Sequence, residues 1–164
     1  MIADLEPARV VREVRALLNE VRDPEIPILT IADLGILRDV AVVDGEIVVI
    51  ITPTYVGCPA MNTVSSDIAQ ALKAAGIEDF SIREQLSPAW TTDWLSDAGR
   101  EKLKSEGIAP PSGPRDRRSL RGTVTCPQCA STDTELVSEF GSTACKALYR
   151  CRNCLEPFDY FKCH

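Results

Sequence analysis

The chain has 164 residues, of which 45% are hydrophobic, and a formal net charge of −6. This length and composition allow one ordinary domain plus a small one, exclude general disorder, and leave no stretch of the roughly 20 apolar residues that a membrane helix needs. The charge is uneven, at −8 for residues 1–107, +3 for residues 108–121 and −1 for residues 122–164, which argues against nucleic acid as the main partner because phosphate binding needs a basic face.

The first predicted element is an amphipathic helix that starts near Pro7, a residue suited to the first turn. Apolar residues recur every three or four positions from Val10 to Val21, which predicts one buried stripe ending at Arg22. The proline-bracketed segment DPEIP that follows cannot continue a helix, because each proline lacks an N–H and restricts the residue before it.

A β-hairpin is predicted next. Strand-forming residues run from about Ile36 to Val43 and from Glu46 to Thr52, and Asp44-Gly45 stands between them. Asp-Gly between two β-branched runs is a strong hairpin signal.

A second helix is predicted directly after Cys58. Pro59 suits its first position, which makes Cys58 the N-cap, and Gly76 is the expected stop. An apolar face with helical spacing lies between them, at Met61, Val64, Ile68, Ala71 and Leu72.

A third strand is predicted from Phe80 to Leu86, and one or two short helices between Trp90 and Glu106, with Ser96 as N-cap and Gly107 as stop. The order α-β-β-α-β-α predicts a compact α/β (α+β) domain over residues 1–107.

The composition then changes. The segment IAPPSGPRDRRSLRG has three prolines, several arginines and no apolar periodicity, so residues 108–121 are interpreted as a linker. Residues 122–164 form a cysteine-rich tail that is too short to be held together well by apolar burial alone.

The tail contains Cys126-Pro-Gln-Cys129 and Cys151-Arg-Asn-Cys154. Two C-x-x-C turns joined by a hairpin, to which TELVSEF and ALYR supply strand-like residues, place four thiolates around one tetrahedral ion. Zinc is favoured over iron because four thiolates without an open position describe a closed structural site. Two unrelated thiol pairs are a weaker interpretation, and a thioredoxin-like role weaker still, because no helical pattern follows Cys129.

The remaining thiols are open questions. Cys145, Cys163 and the only histidine, His164, are either packing or terminal residues, or they exchange with the four ligands or form a second site.

The start MIADLEPARV shows no secretory signal, so we expect the chain to stay in the cytoplasm, where thiols are reduced. Seven cysteines then favour metal binding or thiol chemistry over a disulfide framework.

Cys58 allows two interpretations. At a helix start it lies in the positive field of unpaired backbone N–H groups, which favours thiolate over thiol, but a half-buried packing residue fits the position equally well. A cysteine-protease role is poorly supported because a general base is hard to supply from the single histidine in the tail. If the sheet brings the DPE loop to this helix start, Asp23 and Glu25 would join Cys58 in a site suited to iron.

Two segments of the chain resemble known families. DPEIPILTIADLGILRDV followed by TPTYVGCPAM resembles the domain of SufT-type iron–sulfur assembly factors. The tail CPQC…SEFGSTACKALYRCRNCLEPFDYFKC on that domain resembles the PaaD family, also called PaaJ, of the phenylacetate degradation pathway. The resemblance covers the chain from about Asp23 to His164.

The resemblance implies an assembly domain joined to a zinc-ribbon-like tail, and an accessory role rather than an enzymatic one. The partners it implies are the components of the phenylacetyl-CoA epoxidase, especially the iron–sulfur reductase, together with general iron–sulfur assembly proteins. Structural zinc and a transient iron or iron–sulfur cluster are the implied cofactors. The family's reactive cysteine falls on Cys58 and its acidic loop on Asp23 and Glu25.

Two rival functions remain at this stage. A catalytic oxygenase subunit would need a di-iron Glu-x-x-His pair, a glycine-rich nucleotide fingerprint or a ferredoxin spacing, and the sequence has none of these. A nucleic-acid-binding ribbon would depend on the arginines at 115, 117, 118 and 121, and a DNA shift lost on neutralising them would support it.

Overall fold

The computed structural model describes residues 6–111 and 123–162. By its contacts the chain divides into two compact units. The first comprises the described chain up to Trp90 with Trp94–Ser96, and the second comprises Thr91–Asp93 with the described residues from Asp97 onward. The longest helix in these residues has 15 residues, and none has the length and apolar character needed to span a membrane.

The first unit is built from two helices and one small sheet. Its elements are α1 (Pro7–Leu18), β1 (Leu37–Val43), β2 (Glu46–Ile51), α2 (Ala60–Ala74) and β3 (Phe80–Glu84).

The sheet has the order β1-β2-β3. Strands β1 and β2 form an antiparallel hairpin, while β2 and β3 are parallel and connected through α2. The hairpin turn is the predicted one, because Asp44 and Gly45 both have positive φ, at 52° and 89°, as a two-residue hairpin requires. Since β2 and β3 are parallel, the loops that follow them leave the same edge of the sheet.

The core of this unit lies between the helices and the sheet, because α1 packs against β1 and α2. Each of these elements contributes fully buried aliphatic side chains, as amphipathic helices on one face of a sheet must. Examples are Val14, Leu18, Val49, Ile51, Val64, Ile68 and Leu72.

Two predicted helix boundaries were wrong. Helix α1 ends at Leu18 rather than Arg22, because Val21 and Arg22 are drawn into pairing with the loop: the Ile31 N–H donates to Val21 O at 2.9 Å, and Arg22 forms an isolated bridge with Thr30. The apolar stripe therefore continues past the helix without extending it.

Helix α2 begins at Ala60, with Pro59 rather than Cys58 in the N-cap position. The Cys58 carbonyl accepts a hydrogen bond from the Met61 N–H at 3.2 Å, and Pro59 already has helical backbone angles. Cys58 thus lies one residue before the position predicted for it, a difference within the usual uncertainty of a helix end. The third strand is also shorter than predicted and ends at Glu84.

The second unit contains one helix and a three-stranded antiparallel sheet of order β4-β5-β6. A short 3-10 helix at Thr92–Trp94 precedes α3, and Gly107 at φ 73° ends the helical region as predicted. The elements are α3 (Asp97–Ser105), β4 (Thr134–Ser138), β5 (Lys146–Cys151) and β6 (Pro157–Phe161). The predicted mixed α+β class with a C-terminal cysteine-rich β-ribbon is confirmed.

Part of the segment interpreted as a linker belongs to the second unit. Ala109 is 2% exposed, donates to Asp159 O at 2.8 Å and accepts from the Phe161 N–H at 2.9 Å. Residues 108–111 therefore extend the ribbon beyond β6, and α3 groups with the ribbon by its contacts. The remainder of the predicted linker, 112–121, lies outside the described residues, and the domain boundaries 1–107 and 122–164 stay a prediction.

Candidate metal centre and thiol loop

The two C-x-x-C motifs each form a tight turn at one end of the ribbon. In the first turn the Ala130 N–H donates to Cys126 O at 3.0 Å, and in the second the Cys154 N–H points at Cys151 Sγ at 3.5 Å. The residues that follow the motifs, Ala130 and Leu155, have φ of 58° and 66°. These left-handed conformations turn the chain back so that both sulfurs of a motif face the same side.

The four sulfurs converge. Cys126 Sγ lies 3.7 Å from Cys154 Sγ, and Cys129 Sγ lies 3.5 Å from Cys151 Sγ; all four lie within 4.8 Å of one another. A tetrahedral zinc site with Zn–S bonds of about 2.3 Å has S···S edges of about 3.8 Å. The structure thus brings together the four cysteines that the spacing predicts, and the arrangement fits one tetrahedral ion.

This four-cysteine centre lies at the edge of a small apolar core. Cys126 and Cys151 are 1% and 0% exposed and pack in one buried cluster with Val124, Tyr149 and Phe158, whereas Cys129 is exposed and Cys154 is half-buried. Because two ligands are core residues, metal binding and packing of the ribbon depend on each other.

The thiols do not ionise equally. A hydrogen bond from the Ser131 backbone is the largest of the effects that lower the pKa of Cys129 to about 6. A hydrogen bond from the Glu156 backbone lowers the pKa of Cys154, but lost hydration and the three neighbouring thiols outweigh it and raise that pKa to about 12. The Cys129 thiolate forms readily, whereas Cys154 resists adding negative charge beside it, and a bound cation relieves that resistance.

Cys145 is not part of this centre. It is 4% exposed, its Sγ lies 3.0 Å from Thr143 Oγ1, and its carbonyl accepts from the Lys162 N–H at 3.0 Å. Its position is that of a packing residue of the ribbon. Cys163 and His164, whose role was left open, lie outside the described residues.

The thiol loop, residues 52–59, connects β2 to α2 and carries Cys58. The Cys58 N–H donates to Tyr55 O at 3.2 Å, and this turn passes through Gly57 at φ 81°. Cys58 itself is 9% exposed, while Val56 two residues earlier is 79% exposed. Cys58 is therefore a buried residue directly after a turn whose tip faces solvent.

The acidic loop holds itself together through Asp23. This carboxylate is 6% exposed, and its Oδ1 accepts from the Glu25 N–H at 2.9 Å and the Ile26 N–H at 2.7 Å. Asp23 is thus a loop-closing residue, while Glu25 is half-buried.

Cys58, Asp23 and Glu25 do not form a ready-made ion site. Among residues 6–111 and 123–162, the one group of three or more cysteine, histidine or acidic side chains placed to share an ion is the four-cysteine centre. The joint role of the three residues in iron or cluster transfer stays a prediction.

Thr52, at the start of the thiol loop, is a buried polar residue that the sequence does not mark. It is 1% exposed, and its Oγ1 has no hydrogen-bond partner in the described part of the chain. A threonine at the end of a β-strand is an ordinary strand residue, so no signal in the sequence marked it.

Both halves of the chain match known families. Residues 12–81 match the family described as iron–sulfur cluster assembly protein, and residues 110–162 match the PaaD zinc beta ribbon domain. The first unit also resembles a solved structure, the domain of unknown function DUF59 from Bacillus anthracis, with a TM-score of 0.55, 24% identity, and coverage of 59% of this chain and 93% of that one. At this identity the likeness shows the fold alone.

Two curated relatives extend the comparison. An "Fe-S protein maturation auxiliary factor" from Porphyromonas gingivalis is 32% identical over 53% of this chain and 84% of its own length. A component of the "Putative 1,2-phenylacetyl-CoA epoxidase" of Escherichia coli strain K12 is 50% identical over 99% of this chain and 98% of its own length. With half of the residues shared over the whole length, and with the PaaD ribbon at its C-terminus, the chain belongs to the PaaD family.

Proposed function

We propose that this protein is an accessory factor for iron–sulfur maturation in the phenylacetyl-CoA epoxidase system. In this proposal Cys58 transiently holds iron or a cluster and passes it to the system's iron–sulfur reductase. The match of residues 12–81 to an iron–sulfur assembly family and the full-length similarity to an epoxidase component support it together.

The observation that carries the proposal is the division of the thiols. Four cysteines would occupy all four positions of one tetrahedral ion and leave none open, so that centre is suited to a permanent structural role. Cys58 is not one of them and belongs to the unit that matches the assembly family. A carrier must release its cargo, and one protein thiolate with other positions left open permits that release.

The transfer at Cys58 is an exchange of ligands. The thiol loses its proton to solvent as its sulfur bonds iron, and it regains a proton when a thiolate of the client displaces it, so no electrons change hands. Because Cys58 is 9% exposed, loading requires its surroundings in the thiol loop to open. Asp23 contributes by holding the acidic loop in shape, and Glu25 is the better candidate for direct contact with cargo.

The four-cysteine centre has a separate task. Zinc bound by Cys126, Cys129, Cys151 and Cys154 supplies a closed tetrahedral link between the two turns and stabilises the ribbon. The ribbon's second task in this proposal is to dock the protein on its client.

The test is anaerobic iron–sulfur reconstitution of the purified protein, followed by zinc, iron and labile sulfide analysis. We expect about one zinc per chain in wild type, Cys58→Ala and Cys145→Ala. Labile iron and sulfide are expected in wild type and in Cys145→Ala, the control for a buried thiol outside both sites, but not in Cys58→Ala. Equal iron in all three proteins would contradict a carrier role for Cys58.

A second candidate function is a permanent subunit of the epoxidase complex, favoured by the name of the full-length relative. The two candidates predict different phenotypes for Cys58→Ala. A maturation factor leaves the reductase present but short of cluster, whereas a structural or catalytic subunit leaves the reductase fully loaded while turnover is lost.

A further inference from the structure

The second unit contains a groove beside the four-cysteine centre. It has a volume of about 630 Å³, which is within the size range of ligand-binding clefts. Its apolar lining comes from Pro110, Pro111, Pro127 and Ala130, and Cys126 and Thr125 contribute to the same wall. Three prolines make this surface rigid, so an occupant meets it with little ordering cost.

The remaining lining of the groove is the charged face of α3. Asp97, Arg100, Glu101 and Lys104 line the groove because residues three, four and seven apart share one helix face. The other face of α3 is directed into the unit, where Leu103 is 0% exposed.

The charges of this wall are not equally available. Arg100 is committed to structure, since Nη1 donates to Pro111 O at 2.8 Å and Nη2 donates to Thr92 O at 2.9 Å. Lys104 is paired with Glu101 at 2.8 Å. The four charges of this wall sum to zero, but within the described residues the Asp97 carboxylate has no such hydrogen bond or ion pair, so it is the charged group whose acceptor oxygens remain available to an occupant.

We propose that this groove docks an extended segment of the client, in which apolar side chains meet the proline surface and a lysine or arginine lies opposite Asp97. The inference rests on the proposed function, because the client is the iron–sulfur polypeptide of the epoxidase system. A cleft with apolar lining and one carboxylate whose acceptor oxygens are available favours an apolar segment with a basic residue that donates to that carboxylate. It also assigns the ribbon a task that the structural metal alone does not explain.

The experiment uses the full-length, zinc-loaded protein and fluorescent 15-residue peptides tiled through the sequence of the epoxidase iron–sulfur reductase. Fluorescence anisotropy is expected to reveal saturable binding of a peptide with a basic residue among apolar ones. Thr125→Trp fills the groove and abolishes binding, whereas Val137→Trp, a matched change at a residue of β4 that is 56% exposed, leaves binding unchanged. Zinc content, measured on each variant, reports that the ribbon remains folded.

Charge exchange tests the proposal independently of the bulky variant. Asp97→Lys weakens binding by about tenfold, and changing the basic residue of the peptide to glutamate weakens it to the same extent, a size expected of a few partly exposed charge contacts. Combining the two changes restores binding. Cys58→Ala leaves peptide binding intact while iron loading is lost, so failure of docking and failure of the carrier function are distinguishable.

Four outcomes would overturn the proposal. The first is that no peptide binds, and the second is that Thr125→Trp and Asp97→Lys have no effect. The third is binding that appears only after the arginines at 115, 117, 118 and 121 are replaced, which would make the chain's own basic segment the occupant. The fourth is a dimer in sedimentation that Asp97→Lys abolishes, which would make a second copy the occupant.

Discussion

The four-cysteine centre and the thiol loop place the same functional group in opposite surroundings. In the centre, four thiols lie within 4.8 Å of one another, close enough to share one ion. In the thiol loop, Cys58 is a single buried thiol, 9% exposed, two residues after the solvent-exposed Val56. The comparison teaches that converging thiols are suited to a permanent site, whereas a single thiol outside such a group is suited to the temporary binding that we propose for Cys58.

The largest expected effect comes from breaking the centre. Cys151→Ser removes a ligand that is 0% exposed, and structural zinc contributes on the order of 10 kcal/mol to the folding of small domains. We expect loss of bound zinc and of the ring-packing signals of Tyr149, Phe158 and Tyr160 in NMR spectra, while the signals of the first unit persist. Cys145→Ser is the control and retains zinc; a folded, zinc-free Cys151→Ser ribbon would contradict this expectation.

Acid reproduces the same loss reversibly. Because the pKa of Cys129 is lowered to about 6, its thiolate is present at pH 7 and is lost as the pH falls through about 6. The raised pKa of Cys154, about 12, means that this thiol gives up its proton only when the metal binds. These pKa values belong to the metal-free ribbon, so zinc binding at pH 7 should release protons. Because bound zinc opposes protonation of its thiolates, a metallochromic indicator should show zinc retained at pH 7.5 and released only at a pH below about 6, the pKa of the metal-free Cys129 thiol. Zinc retention that does not change down to pH 4 would argue against thiolate ligation.

A core substitution in the first unit should destabilise that unit and leave zinc bound to the second unit. Ile68 is 0% exposed, and replacing a buried isoleucine with alanine costs about 2–5 kcal/mol through lost burial and the cavity left behind. Ile68→Ala should lower the free energy of unfolding of the first unit, measured with denaturant, while zinc stays bound to the second. The matched control is Val43→Ala at a residue that is 47% exposed, where we expect a change below about 0.5 kcal/mol. Zinc loss in Ile68→Ala would show that the two units depend on each other for stability.

The smallest expected effect concerns Asp23, where two substitutions distinguish a role in closing the loop from a role in binding iron. Asp23→Ala leaves the Glu25 and Ile26 N–H groups without their acceptor, which costs about 1–3 kcal/mol, whereas Asp23→Asn keeps an oxygen there and should cost less. Thermal unfolding measures this difference. If Asp23→Asn is stable and still loads iron, Asp23 acts through the loop alone. A stable Asp23→Asn that fails to load iron would show that the negative charge of Asp23 contributes to binding the cargo.

Local signals in the sequence predicted much of the fold. The Asp44-Gly45 turn, the apolar face of α2 and the C-x-x-C spacing depend on neighbouring residues, and each appears as expected. The helix ends were less accurate, since α1 stops at Leu18 because Val21 pairs with Ile31 across a loop. Such pairing depends on residues distant in the chain and leaves no periodic pattern.

The third strand of the ribbon was missed for a similar reason. Pro157–Phe161 is short and lies directly after a metal-binding turn, and its alternation of buried Phe158 and Tyr160 becomes evident only when β5 lies beside it. Ala109 is a clearer case. In a proline-rich, charged segment it has the composition of a linker, yet it is buried against β6.

The amino-acid sequence by itself determined the mixed α+β class with a cysteine-rich ribbon, the convergence of four cysteines and the thiol just before α2, because turn chemistry, helical period and cysteine spacing are all local properties. Only the tertiary structure decided that Cys58 is buried, that Asp23 is occupied in closing its own loop, and that α3 and the first C-x-x-C turn line a groove in which Asp97 has no ion-pair partner among the described residues. Burial, hydrogen-bond partners and ion pairs depend on contacts between residues that are distant in the sequence. A local sequence pattern does not specify those contacts.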